Sequence, residues 1–238
     1  MTRRRLLLLS NSKNPGQKMF EHARTTIQDF LGGRVGTIAF VPFAGVTVSW
    51  DDYAGIVDRK FGELGYKIQS VHAAANPGAF LEEADAIAVG GGNTFRLVEQ
   101  LHATGIMDTI KSRADEGIPY IGWSAGSNVA CPTLSTSNDM PIIQPESFRA
   151  LGLVPFQINP HYLDAHPEGH GGETRQQRIE EFIELNREVF VAGLREGTML
   201  RVEGDDISLI GNSPMRVFRH GNNPVEHEPG SDISFLLE

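Results

Sequence analysis

The chain has 238 residues, 40% of them hydrophobic, which suits one compact domain or at most two; a single domain over 1–238 is expected. Its formal charge is −9, from 21 Lys+Arg against 30 Asp+Glu, and the short basic run Arg3-Arg4-Arg5 is too small for a nucleic-acid arm. Cys131 is the only cysteine, which excludes an intrachain disulfide and a cysteine-rich metal site and favours a reducing compartment, so a cytoplasmic protein with a small-molecule or peptide ligand is expected.

Arg3-Arg4-Arg5 followed by Leu6-Leu7-Leu8-Leu9 looks briefly like a secretory signal. The apolar run is well short of the roughly 7–15 residues such a signal needs, and a buried first strand, Leu6–Ser10, is the better reading. No stretch approaches the ~20 apolar residues of a membrane span.

From there strands and helices alternate. Gln17–Leu31 has helical spacing, with Met19, Phe20, Ala23, Ile27 and Phe30 on one side. Thr37–Phe43 is a second buried strand, Asp51–Leu64 a helix ended by Gly65, and Tyr66–His72 a third strand. Ala84–Val89 is a fourth, running into Gly90-Gly91-Gly92. Thr94–His102 and Gly105–Glu116 form a helical pair, and Pro119–Gly122 is the next strand. Continuous apolar strands between amphipathic helices imply an α/β fold with a mostly parallel sheet covered on both faces. The last third adds a helix over Thr174–Asn186, a strand over Val189–Leu194, and a hairpin from Met199–Glu203 to Ile207–Gly211. Val217–Arg219 and Ile233–Leu236 are candidate short strands, so the sheet should carry an antiparallel C-terminal edge.

Gly122-Trp123-Ser124-Ala125-Gly126 stands between a strand and a helix. That arrangement is a nucleophile elbow: the turn is so sharp that only small residues fit beside the serine, whose Oγ is left exposed. The plainer reading is a serine cap in a glycine-rich loop. A serine hydroxyl is a weak nucleophile at neutral pH and needs a base, which itself needs an orienting carboxylate. Of eight histidines, His22, His72 and His102 lie in or beside elements upstream, His220 and His227 in a polar tail, and His166 and His170 in the Gly/Pro-rich loop 165–172. His161 alone sits at the end of a short apolar strand, after Asn159-Pro160. For the carboxylate, Glu196 sits at a strand end where burial is expected, and Asp139 is its rival. Asp164 is too close to His161 in sequence for an easy approach. Gly90-Gly91-Gly92-Asn93-Thr94 lacks the spacing of a phosphate loop. Its place after a strand suits Gly92 as an oxyanion-hole amide, with Ala125 supplying the second donor.

Gly90-Gly91-Gly92-Asn93-Thr94-Phe95, Gly122 to Asn128, Asn159-Pro160-His161-Tyr162 and Arg195-Glu196-Gly197 together resemble the peptidase E family, aspartyl dipeptidases that cleave dipeptides with an N-terminal aspartate. The resemblance spans nearly the whole chain. It implies a fold like the class I glutamine amidotransferases, a flavodoxin-like three-layer sandwich, with serine in place of their cysteine. It also implies Ser124 as nucleophile, His161 as base and Glu196 as third member, with no metal and no organic cofactor. The order Ser…His…Glu differs from that of α/β-hydrolases. Ser127 stands where the family often has alanine, and Asp139 matches an acidic position of the family, which keeps the choice of carboxylate open.

An aspartate side chain in a partly buried pocket calls for a cation, best a planar bidentate one. Arg3, Arg4, Arg5 and Arg24 lie far upstream, Arg149 falls in a predicted helix, and Arg195 should face away from Ser124 because strand neighbours alternate. Arg175 opens a helix directly after the loop 167–172, and the resemblance also implies it as the substrate-binding residue; that loop is expected to close over it. The plainer reading is a surface arginine paired with Glu173. A cyanophycinase-like hydrolase of β-aspartyl-arginine units is the rival enzyme, and a non-catalytic binding protein of the same fold the rival from another class. Homodimer formation and the breadth of leaving residues stay open.

Overall fold

The structure is a computed structural model that describes residues 3–33, 35–164, 169 and 171–238. In chain order the elements are β1 (Arg5–Leu9), α1 (Arg24–Leu31), β2 (Thr37–Val41), α2 (Trp50–Gly62), β3 (Lys67–Ser70), α3 (Pro77–Glu83), β4 (Ala86–Val89), α4 (Thr94–Ala103), α5 (Met107–Asp115), β5 (Tyr120–Trp123) and α6 (Ala125–Asn128). A long irregular stretch leads to β6 (Gln157–Tyr162), followed by α7 (Arg175–Leu185), β7 (Val191–Arg195), β8 (Met199–Glu203), β9 (Asp206–Ile210), β10 (Met215–Phe218) and β11 (Val225–His227).

Seven strands make the main sheet, in the order β3-β2-β4-β5-β1-β8-β9. The five from β3 to β1 run parallel, and the hairpin β8-β9 adds the antiparallel edge expected from the sequence. Alternation along β1 shows why a run of leucines suits a central strand. Leu6 and Leu8 join the cluster with α4, α5 and α6, while Leu7 and Leu9 join the cluster with α1 and α2. Both faces are dry along Leu6–Leu9, so each of those four buried positions must be apolar.

The second sheet departs from the expected single one. Strands β11-β10-β7-β6 form it, with β6 and β7 parallel and the rest antiparallel. Strand β1 is paired with β5 on one side and β8 on the other, which leaves β6 and β7 no edge at the centre of the main sheet. They instead lay Ile158, Ala192 and Leu194 onto the cluster that holds Leu6 and Leu8.

Three smaller expectations are corrected, and one helix is added. The helix read over Gln17–Leu31 begins only at Arg24, because Phe20 takes a left-handed turn at φ 62° and drives its ring against Phe61 and Trp123. Helix α3, capped by Asn76 with Pro77 as its first residue, was not apparent from spacing. Ser234–Leu237 is a 3-10 turn that buries Leu236, not a strand. Arg149 lies outside any helix and makes an isolated bridge with Thr133. Among the described residues no helix is long and apolar enough to cross a membrane.

Candidate active site

Three segments converge at the carboxyl ends of β5, β6 and β7, where open parallel sheets place their ligands. Ser124 joins β5 to α6 with φ 53° and ψ −113°, a conformation that non-glycine residues seldom take. The glycines beside it are required by space: a Cβ on Gly122 would overlap the Gly126 carbonyl, and one on Gly126 would overlap the Val89 carbonyl. The Ser124 N–H donates to Leu9 O at 3.1 Å, which ties the turn to the middle of the sheet.

His161 stands on a bulge of β6, also with positive φ, at 52°. The bulge re-aims its ring. Nε2 lies 2.9 Å from Ser124 Oγ, and Nδ1 lies 2.7 Å from Glu196 Oε1. A hydrogen on Nδ1 facing the carboxylate leaves the Nε2 lone pair for the serine hydroxyl. Glu196 is more exposed than expected, at 45% of its side chain, because it stands on the turn beyond β7 and outside both sheets. That turn is pinned by the Gly197 N–H, which donates to Asn11 Oδ1 at 2.8 Å.

Asp139 lies elsewhere. Its Oδ2 accepts from the Thr94 amide at 2.7 Å, the Thr94 hydroxyl at 2.6 Å and the Ser137 hydroxyl at 3.0 Å, so its charge sits at the start of α4. Asp164 pairs with Arg195 at 2.8 Å and Arg216 at 3.0 Å. Arg195 faces away from Ser124 as strand alternation requires and also holds Glu226 at 2.8 Å.

Gly92, with φ 139°, follows β4, and a Cβ there would overlap the Ala44 carbonyl. Its neighbour Gly91 packs so closely that an added Cβ would come within 3.1 Å of Ser124 Cβ. Ala125 is the first residue of α6, so its N–H has no carbonyl one turn back. Gly91 and Ala125 therefore border the serine, and the Gly92 amide is the next peptide along the loop. Arg175 is the first residue of α7, behind the Thr174 cap. Burial and the neighbouring Arg178 lower its pKa, and Asp139 opposes them. Glu173, the partner a surface arginine would take, pairs with Arg178 at 3.5 Å instead. Residues 167, 168 and 170 of the loop 167–172 lie outside the described residues, as does His166.

The chain's one thiol is no rival nucleophile: Cys131 is fully buried, and burial pushes its pKa up to about 12. Among the described residues no three His, Cys, Asp or Glu side chains cluster as a metal ion needs.

Two residues of the site were missed in the sequence, Ser10 and Tyr53. Ser10 is a buried hydroxyl directly after the run Leu6–Leu9, a break in pattern that was readable. Tyr53 lies on the apolar side of a helix and gave no such signal.

This fold and this line of contacts mark a serine-type hydrolase. The chain belongs to peptidase family S51, whose profile matches residues 6–210, and is a serine-type peptidase. It is 50% identical over 235 residues to a peptidase E of Nostoc sp., covering 99% of this chain and 97% of that one. It is 50% identical over 236 residues to a peptidase E of Streptomyces coelicolor, covering 98% and 95%. The crystal structure of a peptidase from an acI-B1 actinobacterium shares the fold, with a TM-score of 0.69 at 18% identity over 98% of both chains.

Proposed function

We propose that this chain is a serine dipeptidase that removes the N-terminal aspartate from Asp-X dipeptides through Ser124, His161 and Glu196. The observation that carries the reading is the unbroken line from Glu196 Oε1 to His161 Nδ1 at 2.7 Å and from His161 Nε2 to Ser124 Oγ at 2.9 Å. Ser124 Oγ attacks the aspartyl carbonyl as its proton passes to Nε2. Glu196 holds the ring in the useful tautomer and stabilises the imidazolium. The amides of Gly92 and Ala125 receive the oxyanion. Collapse of the tetrahedral species breaks the C–N bond, His161 returns the proton to the leaving amine, and water then cleaves the acyl-enzyme by the same route.

The choice of aspartate rests on Arg175 and on the high identity to relatives named peptidase E. Arg175 has no ion-pair partner among the described residues, so its charge is available to a substrate carboxylate. A dipeptide panel tests the reading. Asp-Leu should be turned over well, and Asn-Leu, Ala-Leu and β-Asp-Arg poorly. Preference for β-Asp-Arg would turn the assignment to a cyanophycinase-like hydrolase.

A further inference from the structure

One hydroxyl links the nucleophile strand to the glycine loop beside it. The phenolic oxygen of Tyr53, on α2, accepts a hydrogen bond from Trp123 Nε1–H at 3.1 Å. It donates its own proton to the Gly91 carbonyl, also at 3.1 Å. Trp123 immediately precedes Ser124. The Gly91 carbonyl belongs to the same peptide unit as the Gly92 N–H. That peptide is trans, so fixing the carbonyl toward Tyr53 fixes the N–H on the opposite side.

The surroundings hold the strut in place. The Tyr53 ring meets Phe40 edge-on at 5.2 Å between centroids, and Phe40 stacks on Trp123 at 5.8 Å. A Cβ added to Gly90 would come within 2.7 Å of the Tyr53 hydroxyl, so the loop lies directly against it. Burial raises the phenol to about pKa 12, which keeps the donated proton in place across any ordinary working pH. Glycine loops are soft, since each residue has wide conformational freedom. A donor that must meet a developing oxyanion at about 2.7–3.1 Å cannot be left to such a loop alone.

We propose that Tyr53 is a positioning residue for the oxyanion hole: by bridging Trp123 and Gly91 it aims the Gly92 N–H at the carbonyl attacked by Ser124. The role rests on the serine-peptidase reading above, with Gly92 as a donor. Tyr53 touches neither substrate nor the reacting atoms. It acts through the Gly91–Gly92 peptide.

The test is Tyr53→Phe in the full chain, which removes one oxygen and keeps the ring packing, with Ser124→Ala alongside. Each is assayed on an aspartyl ester and its thionoester, in which sulfur replaces the carbonyl oxygen. An oxyanion hole built for oxygen discriminates against sulfur, which is larger and a weaker acceptor. Tyr53→Phe should lower kcat on the oxygen ester about 10- to 100-fold with KM within about twofold, and should shrink the oxygen-over-sulfur preference by a similar factor. A kcat within about twofold of wild type would reduce Tyr53 to packing and overturn the proposal. So would a drop in kcat with the sulfur discrimination intact, because Tyr53 would then act through Trp123 on the serine and not through the hole. Activity surviving in Ser124→Ala is the separate result that overturns the parent reading, and this one with it.

Discussion

The backbone N–H of His161 donates to Ser10 Oγ at 2.9 Å, and that same hydroxyl donates to the Leu194 carbonyl at 2.7 Å. One fully buried serine, at the end of β1, thus joins the main sheet to both strands that lead to His161 and Glu196. It also supports the positive φ of His161, which needs an outside anchor to persist. Ser10→Ala leaves a buried donor and a buried acceptor without their partner, which should cost about 1–3 kcal/mol of stability. It should also lower kcat by roughly tenfold or more, since small displacements of a base are costly. Urea unfolding and steady-state kinetics measure the two separately. Lost stability with unchanged kcat would make Ser10 a fold residue alone.

Removal of the nucleophile or the base gives the most direct test of the contact line. Ser124→Ala and His161→Ala should each lower kcat by roughly three or more orders of magnitude while circular dichroism stays native. Groups that act as one unit are not additive, so the double variant should be little slower than either single one. Near-wild-type turnover in Ser124→Ala would end the serine mechanism.

The two carboxylates should separate by what each change damages. Glu196→Gln keeps the shape but loses the charge 2.7 Å from His161 Nδ1, so kcat should fall by about 10²-fold or more with little change in Tm. Asp139→Asn weakens three hydrogen bonds at the start of α4, so it should lower stability by about 1–2 kcal/mol and act on kcat less. The reverse pattern would assign the third position to Asp139.

Ser124 was legible because its neighbours obey a steric rule that leaves a trace in residue types: Gly122 and Gly126 have no room for a side chain. His161 was legible for a different reason, a histidine ending an apolar strand. What the sequence did not carry is which edge each strand takes. Val191–Arg195 reads the same whether it extends the main sheet or starts a second one, because pairing is settled by competition for the edges of β1. Glu196 was placed correctly near His161 and wrongly buried, since exposure depends on where the turn lies in space. Tyr53 looked like one more apolar helix position, and only its hydroxyl contacts at both ends distinguish it.

Acid should act on stability through His22. Burial lowers its pKa from 6.5, while the Asn11 backbone and the charge of Glu196 work in the opposite direction. Neither ring nitrogen has a partner in hydrogen-bonding geometry among the described residues. The folded protein therefore takes up this proton less readily than the unfolded chain. Stability is present above the unfolded value and is lost as pH falls from it toward the lower folded value. Between about pH 7.5 and about pH 5.5, His22→Gln should lose less Tm than the wild type, because its side chain no longer titrates. Equal pH dependence in both proteins would move the acid sensitivity to another group.

Arg175 carries the prediction about substrate choice. It opens α7 behind a capping box made by Thr174 and Gln177, so its backbone is firmly set while its guanidinium stays free of ion pairs among the described residues. Burial and the neighbouring Arg178 lower its pKa, and the Asp139 charge offsets them only in part, the mark of a cation held partly out of water with no carboxylate in ion-pair contact among the described residues. A bound aspartate side chain would supply that carboxylate in bidentate geometry. Arg178 cannot substitute, since it is engaged with Glu173 at 3.5 Å. Arg175→Ala should therefore cut kcat/KM for Asp-Leu by about two to three orders of magnitude, equal to roughly 3–4 kcal/mol of transition-state binding. The loss should be much smaller for Asn-Leu, which has no charge to pair, so the preference for aspartate narrows. Arg175→Lys should recover only part of it, because an ammonium cannot make the paired contacts of a guanidinium. Equal losses on Asp-Leu and Asn-Leu would show instead that Arg175 supports the start of α7 and does not read the charge of the substrate.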